Sequence, residues 1–201
     1  MGIRMMALSL ALIVAPAPAQ GDRRPADEGA TERAAMLRTL QRGREITVRN
    51  ERYQLLPEVA AVERKSRQTP PQEAIAPFGA GAGQIIETKG RLVLFRAPPM
   101  KGAFVGQAGG ATVYPTVLNA RTGTLGVLTG TLVVKPKSMG DAVGIASRYG
   151  LETSKEYPQL RTVFYRVKAN LDIVDTVAAL EADPRIESAY PEIVEYVRVP
   201  K

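Results

Sequence analysis

The stretch that decides the fold is residues 163–190, VFYRVKANLDIVDTVAALEADPRIESAY, because it contains a strand, a helix and a second strand in turn. The first strand is apolar and aromatic, Asp172 suits a helix cap, and Asp183-Pro184 suits a helix end. Ile186 to Tyr190 is then expected to be extended. The apolar stripe of the helix consists of Ile173, Val174, Val177 and Leu180. The stretch therefore predicts one strand–helix–strand unit.

The same pattern occurs once more, immediately upstream. A strand at Leu132 leads to a helix capped by Ser138 and stopped by Gly150, and an extended segment then runs to Tyr157. The apolar stripe of this helix consists of Ala142, Ile145, Ala146 and Tyr149. Two such units of about 30 residues are typical of the ferredoxin-like split βαβ fold. We predict an α+β domain at 131–191, with two helices on one face of a four-stranded antiparallel sheet and the other face open.

Alternation along the strand at 161–168 separates its two faces. The face that we predict to join the core consists of Val163, Tyr165 and Val167. The face that we predict to remain open and to contact a partner consists of Phe164, Arg166 and Lys168. A single surface aromatic is also an ordinary feature of soluble proteins, so the alternative is that Phe164 has no partner.

The pattern upstream of residue 131 is less regular. It predicts helices at Thr31–Arg42 and Pro57–Arg67, with a hairpin between them around Arg49-Asn50-Glu51. A second hairpin is expected around Lys89-Gly90 and a third around Asn119–Gly123, where Asn and Gly suit a turn closed by a left-handed residue. The last strand of this region continues past residue 130, so it is expected to be shared with the C-terminal domain.

These patterns divide the chain into six segments. We predict a signal peptide at 1–19, a basic helical and hairpin region at 20–68, a Pro/Gly-rich linker at 69–83, a smaller N-terminal β-hairpin domain at 84–130, the ferredoxin-like domain at 131–191, and a C-terminal tail at 192–201.

The composition argues against most enzymes. The chain has no His and no Cys, so neither a Ser-His-Asp nor a Cys-His nucleophilic site can be built. The usual zinc, haem, iron–sulfur and copper sites also lack their ligands. We therefore expect no catalytic residue, no metal and no cofactor. Carboxylate chemistry remains the alternative, and its candidates are Glu152, Glu156 and Glu187, which neighbouring strands could bring together.

Charge is distributed unevenly along the chain. The formal net charge is +7. Residues 131–201 carry 10 basic and 10 acidic side chains, so the excess lies before them. Acidic residues are interleaved with the basic ones there, which favours a solvated surface of mixed charge over a nucleic-acid interface.

The first residues have the pattern of a secretory signal. Arg4 gives a positive start, Met5 to Val14 is an uncharged apolar run, and Ala17-Pro18-Ala19 before Gln20 fits a cleavage site. A membrane anchor is the alternative, but spanning a bilayer needs about 20 apolar residues. We expect cleavage between Ala19 and Gln20, with Ala17 and Ala19 as the small residues of the motif. The processed protein is then expected to be periplasmic or secreted and no longer attached to the membrane.

Three segments of the C-terminal region carry a family resemblance. Leu132-Val133-Val134-Lys135 resembles the first strand of subtilisin-type propeptides, and Tyr149-Gly150-Leu151 resembles their step from helix to strand. Ala182 to Pro191, ADPRIESAYP, resembles their last helix and strand. Together with Tyr114 to Lys135, these segments are similar to the secreted external chaperones of kexin-like serine proteases. Residues 20–80 contribute nothing to the resemblance.

The resemblance implies a partner and a mechanism. It implies a chaperone that helps a subtilisin-family serine protease fold, acts in trans and holds the protease inactive. The segment after Glu195 contains no Gly and alternates, so it can add as a strand to a cleft edge. The expected cleft residues are Tyr196, Val197, Arg198, Val199, Pro200 and Lys201, with Lys201 lying like a product in the specificity pocket and Arg198 in the fourth subsite. The alternative is an ordinary frayed terminus.

Two other classes of function remain open. A ferredoxin-like pair can bind a small molecule, but the turn at 137–141 resembles the polar Gly-rich loop of such modules only weakly. A nucleic-acid-binding domain needs several stacking aromatics on its open face, and only Phe164 qualifies clearly. The oligomeric state is not indicated by the sequence.

Overall fold

The computed structural model describes residues 34–108 and 110–196. The chain divides into two compact units, Met1–Leu37 and Arg38–Lys201. Residues 34–39 are helical and form α1. The predicted signal peptide and its cleavage residues lie outside the described residues, as do the last five residues of the predicted cleft segment.

The second unit is mixed α/β, with one antiparallel sheet of ten strands and few helices within the described residues. The strands are β1 (Glu45–Val48), β2 (Glu51–Glu63), β3 (Ile85–Lys89), β4 (Leu92–Arg96), β5 (Gly106–Ala108), β6 (Ala111–Asn119), β7 (Leu125–Pro136), β8 (Glu152–Tyr157), β9 (Thr162–Arg166) and β10 (Ile186–Val194). The α-helices are α2 (Pro71–Ile75), α3 (Ala142–Tyr149) and α4 (Ile173–Glu181). Short 3₁₀ turns occupy Ala76–Phe78, Ala82–Gln84, Met139–Asp141 and Pro158–Leu160.

Strand β7 joins the two halves of this unit. Along one edge it pairs with β10, from Val127 to Pro136. Along the other edge it pairs first with β6 and then with β9. Gly130 lies where the neighbour changes; its φ is 79°, and a Cβ there would lie 2.7 Å from Val105 Cγ2. The strand therefore runs through residue 130 without interruption, as its sequence predicts.

The C-terminal half forms around β7. Its strands lie in the order β10-β7-β9-β8, with α3 between β7 and β8 and α4 between β9 and β10. The predicted cap of α4 is confirmed, since Asp172 accepts hydrogen bonds from the Val174 and Asp175 amides at 2.9 and 3.2 Å. Ser138 caps the 3₁₀ turn Met139–Asp141 by accepting a hydrogen bond from the Gly140 amide at 3.3 Å, and α3 then begins at Ala142 without a side-chain cap. Gly150, with φ 64°, ends α3.

The three predicted hairpins of the N-terminal half are confirmed. Strands β1 and β2 are joined by Arg49 and Asn50, both with positive φ, as a tight two-residue turn requires. Strands β3 and β4 turn at Gly90, which also has positive φ. Between β6 and β7, the Asn119 side-chain carbonyl accepts hydrogen bonds from the Arg121 and Thr122 amides at 3.0 and 3.1 Å.

The prediction of a helix at Pro57–Arg67 is wrong, because β2 continues through Pro57 and ends at Glu63. Every residue from Val59 to Val62 is buried, so the strand is covered on both faces and its apolar residues do not alternate. An unbroken apolar run of this length does not distinguish a buried strand from a helix. Pro57 lies where the register between β2 and β6 shifts, a position at which a strand tolerates Pro.

The Pro/Gly-rich segment 69–83 contains structure that its composition does not indicate. It forms α2 and two 3₁₀ turns, and Ile75 is fully buried there. The Phe78 ring lies 5.5 Å from the Phe95 ring of β4. Together with part of β2, these side chains form a small second core beside the main one.

The main core combines side chains from both halves. Helices α3 and α4 contribute Ile145, Ile173, Val177 and Leu180, and the sheet beneath them contributes Leu132, Val134, Val163 and Tyr165. The N-terminal half adds Ile46, Val48, Tyr53, Leu55, Ala103 and Val117 to the same cluster. The residues predicted to face the core on β9, including Val167, are buried as expected.

Candidate partner-binding surface

The sheet face opposite α3 and α4 carries a row of side chains across four strands. Tyr190 lies opposite Val133, Val133 opposite Phe164, and Phe164 opposite Lys155. Since side chains on one face of a strand recur every second residue, Tyr157 belongs to the same face. We call Val133, Lys155, Tyr157, Phe164 and Tyr190 the open face. All of these except the exposed Lys155 are half-buried, as the alternation along β9 predicts for Phe164.

Cations flank the aromatic rings of the open face. The Phe164 and Tyr157 rings meet edge to face, with centroids 5.6 Å apart. The Lys155 ammonium lies 4.7 Å from the centre of the Tyr157 ring. The Arg49 guanidinium lies 4.5 Å from the centre of the Tyr190 ring and donates a hydrogen bond to the Tyr190 hydroxyl. Aromatic residues and Arg are enriched in protein–protein interfaces.

The three side chains predicted to face a partner do not share one pocket. Phe164 lines a groove of about 390 Å³ together with Tyr190 and Arg49. Arg166 and Lys168 are exposed and line a different cavity, of about 590 Å³. Arg166 is the last residue of β9, two positions beyond Phe164, and Lys168 lies past the end of the strand. The structure thus distinguishes an aromatic groove from a basic cavity.

The N-terminal hairpin contributes to the aromatic groove, which the sequence did not indicate. Val48, Arg49, Glu51 and Tyr53 form one wall of it. The hairpin itself was predictable, but only the three-dimensional arrangement brings its tip beside Tyr190. No pattern within residues 46–56 distinguishes Arg49 from the other basic residues of this region.

The tail predicted to enter a protease cleft is described only at its start. The side chain of Tyr196 is exposed, and its hydroxyl lies 3.3 Å from the Thr124 hydroxyl. Residues 197–201 lie outside the described residues. The structure therefore gives the point from which the tail leaves the sheet.

Two buried polar groups under the helices have a structural role. Burial, and then the charge of Glu156, raise the pKa of Tyr165 to about 12, and its hydroxyl donates to the Ala142 carbonyl at 2.8 Å. Hydrogen bonds from the Arg185 side chain, from its amide and from Tyr149 hold the pKa of Asp183 well below its usual range. These groups join α3, α4 and β10 on the covered side of the sheet, away from the open face.

Residues 34–108 and 110–196 contain neither a candidate metal site nor a helix that could span a membrane. No group of three or more His, Cys, Asp or Glu residues there could hold a metal ion. In the same part of the chain, no helix is long and apolar enough to cross a membrane. What the described surface offers is contact, through aromatic rings, aliphatic side chains and cations.

Comparison with known proteins identifies the family. The chain belongs to the ORF_2_N family, whose model, Open reading frame 2 N-terminal domain, matches residues 41–198. This match confirms, at the level of family, the resemblance drawn from the sequence. No curated protein matches the chain.

One solved structure is similar over part of the chain. It is the crystal structure of the Aeromonas sobria serine protease (ASP) in complex with the chaperone (ORF2), with 16% identity and a TM-score of 0.37. The similarity covers 48% of this chain and 99% of the other. A likeness at this TM-score carries no argument about the fold or the partner of this chain.

Proposed function

We propose that this chain is a secreted chaperone and inhibitor that acts in trans on a subtilisin-family serine protease. It binds the protease by its open face and places its C-terminal tail in the substrate cleft. The observation that carries the proposal is the row from Tyr190 through Val133 to Phe164, an aromatic and aliphatic surface on the uncovered side of a sheet. Membership of the ORF_2_N family supports the chaperone role.

The strand order of the C-terminal half supports a propeptide-like domain. The strands lie in the order β10-β7-β9-β8, and a helix follows β7 and another follows β9 along the chain. This is the arrangement expected of a ferredoxin-like split βαβ domain. Such a domain leaves one sheet face free of helices, which gives a rigid surface for a partner.

The free energy with which this chain binds the protease accounts for both chaperoning and inhibition. Subtilisin-family proteases have non-local α/β topologies, which fold slowly. A domain that binds the native-like surface of the protease favours the folded side and stabilises the finished enzyme by mass action. Inhibition needs in addition an extended segment in the cleft, since only such a segment pairs with a cleft edge by strand addition.

The tail is the proposed inhibitory element. Its residues are Tyr196, Val197, Arg198, Val199, Pro200 and Lys201, and their alternation supports strand addition. Its assignment to the cleft rests on the sequence and on the exposed position of Tyr196 at the end of the described chain. Basic and aromatic side chains suit subsites of a cleft that recognises an extended peptide.

The proposal includes location and the lack of catalysis. The N-terminal signal pattern supports export to the periplasm or the medium. Cleavage is proposed between Ala19 and Gln20, with Ala17 and Ala19 as the small residues of the motif. The absence of His and Cys from the sequence supports a binding role without a cofactor. No enzyme activity is proposed.

The test separates binding from inhibition. Phe164→Asp should weaken the complex with a subtilisin-family protease from the same organism about 30-fold or more, because an unpaired charge would be buried against the partner. Deleting Val197 to Lys201 should leave the complex intact but allow it to hydrolyse small peptides. The measurements are a direct binding titration and a peptide-hydrolysis assay on each variant.

The matched control is Val143→Asp, the same kind of change on the helical side. Val143 is 72% exposed on α3, so an added charge there stays in water. Normal binding by the Phe164 variant would contradict the open-face proposal. Full inhibition by the shortened chain would contradict the tail proposal.

A second candidate function has one observation in its favour. The cavity of about 590 Å³ is lined by two cations, Arg166 and Lys168, by one carboxylate, Glu152, and by polar residues that include Thr129, Thr131 and Tyr114. The excess of positive charge favours a small anionic ligand. The chain would then be an extracytoplasmic small-molecule-binding or protein-interaction module without a protease partner. A rise in melting temperature with small carboxylates, together with no binding to any subtilisin-family protease, would favour this function.

A further inference from the structure

Strand β10 continues past the C-terminal half into the N-terminal half. Up to Pro191 it pairs with the far part of β7, and after a shift in register Ile193 and Val194 lie opposite Leu128 and Val127. This last part of β10 lies beside the residues of β7 that pair with β6 on the opposite edge. The end of the described chain therefore lies among residues that belong to the N-terminal half.

The approach of β10 to β7 is very close at this point. A Cβ on Gly126 would lie 2.5 Å from Ile193 Cγ2 and 3.5 Å from Glu195 Cγ. Real Cβ atoms do not approach other atoms so closely, so the residue at 126 has no room for a side chain. The absence of that side chain leaves the space that Ile193 occupies, two residues before Glu195.

Glu195 is held by two side chains from different strands. The Lys89 ammonium, on β3, donates a hydrogen bond to the Glu195 main-chain carbonyl at 2.7 Å. The Asn119 side-chain amide, at the end of β6, donates one to the Glu195 carboxylate at 3.0 Å. Burial, and then the charge of Glu195, raise the pKa of Tyr53, whose phenol lies near the same carboxylate.

Both donors are buried, which is unusual for such polar side chains on a small sheet. Lys89 is 7% exposed and Asn119 is 2% exposed. The Lys89 ammonium also lies 2.9 Å from the Glu87 carboxylate, which compensates its charge. The Asn119 amide is oriented by its own turn, because its carbonyl oxygen accepts from the Arg121 and Thr122 amides. A buried donor that is fixed in this way leaves its acceptor little freedom.

We propose that Lys89 and Asn119 are positioning residues that form a clamp on Glu195 and so fix where, and in which direction, the inhibitory tail leaves the sheet. The inference rests on the proposed function, because it concerns how the tail reaches the cleft. It gives the N-terminal half a task that the open face does not perform. The open face binds the protease. Because the clamp already orders the start of the tail in the free chain, less conformational entropy is lost when the tail enters the cleft.

Two substitutions test the clamp by different chemistry in the full-length chain. Asn119→Asp keeps the oxygen that accepts from Arg121 and Thr122 but replaces the donor to Glu195 with a second carboxylate. Lys89→Met removes the donor to the main-chain carbonyl at similar side-chain length. We expect either change to raise the inhibition constant of the full-length chain about tenfold, the cost of ordering one or two residues again. In a chain shortened by residues 197–201, which binds by the open face alone, the same change should alter the affinity for the protease less than about twofold.

Rescue and control variants separate positioning from a general loss of structure. Lys89→Arg keeps a cation and a donor, so it should recover most of the inhibition that Lys89→Met loses. Lys65→Met removes an exposed lysine of the same half and should change nothing. Thermal unfolding of each variant checks that the fold is retained.

Hydrogen exchange on the free chain tests the clamp without the protease. Amides in the peptide 193–196 should exchange about tenfold faster in Asn119→Asp than in the unchanged chain, while those of β9 stay protected. Faster exchange with unchanged inhibition would overturn the positioning role and leave the proposed function intact. Unchanged exchange would overturn the clamp itself. No inhibition by the unchanged chain would overturn the proposed function, and the positioning role with it.

Discussion

The two halves of the sheet differ in how their faces are covered. In the C-terminal half, α3 and α4 cover one face and the other is open, so β9 and the second half of β7 alternate between buried and half-buried residues. In the N-terminal half, β2 is buried on both faces over Val59 to Val62. The first arrangement leaves a surface for a partner, and the second gives a rigid support for the end of β10. We propose that the C-terminal half supplies most of the binding surface, with the β1–β2 hairpin at its edge, and that the N-terminal half positions the tail.

The largest expected effect comes from separating the halves. A fragment of residues 131–201 lacks Leu128, Val117 and the β1–β2 residues that share its core. We expect this fragment to show no cooperative thermal transition, since so small a domain without these residues buries too little apolar surface. The control is a chain of residues 38–201, which retains the whole second unit and should unfold cooperatively. A sigmoidal transition of the shorter fragment would mean that the halves are independent.

The second-largest expected effect is a loss of folding stability when a core residue beneath the sheet's helices is truncated, compared with an exposed helical residue. Leu180 is fully buried on α4, so Leu180→Ala should lower the free energy of unfolding by about 2–5 kcal/mol. Val143→Ala, an exposed change on α3, is the control and should have little effect. Denaturant unfolding at neutral pH measures both. Equal stabilities of the two variants would show that α4 contributes little to the core.

A smaller effect depends on pH and is confined to the C-terminal half. The pKa of Asp183 is lowered in the folded chain, first by the Arg185 side chain, so at acidic pH the unfolded chain binds a proton that the folded chain does not. The stability from this group is therefore present above the unfolded pKa of about 3.9 and is lost as pH falls below it. Melting temperatures measured from about pH 6 to about pH 3 should fall less steeply for Asp183→Asn than for the unchanged chain.

The control for that comparison is Glu181→Gln, an exposed carboxylate close by in sequence. Its melting temperature should follow that of the unchanged chain at every pH. Asp172, whose pKa is also lowered, remains in both variants, so some acid sensitivity is expected to persist. An identical slope for Asp183→Asn and the unchanged chain would mean that the Arg185 contact does not affect folding stability.

The sequence predicted those parts of the fold in which local chemistry determines the structure. Asp172 and Gly150 mark helix ends through their own side chain or backbone, and the alternation along β9 assigned Val163 and Phe164 to opposite faces. The prediction from sequence failed at Pro57–Arg67. A strand that is covered on both faces is apolar along its length, and such a run cannot be distinguished from a buried helix. The burial of Ile75 depends on a distant strand and leaves no local signal.

The candidate surface was predicted only in part. Phe164 follows from the alternation of a single strand, whereas the wall formed by Arg49 and the clamp at Glu195 depend on contacts between distant segments. The sequence assigns Lys89 and Asn119 to hairpin turns, and the structure has each as the last residue of the strand before its turn. Their second role follows from where β10 ends, and the sequence of β10 alone does not determine that position.

The central claim, that this chain helps a serine protease to fold, is tested most directly by refolding. A subtilisin-family protease from the same organism is denatured and diluted with or without this chain, and the native protease formed is counted by active-site titration after the chaperone is removed. We expect a yield several-fold higher with the chain present and a clear loss of that gain with Phe164→Asp. The same yield with and without the chain would show that it does not help the protease to fold.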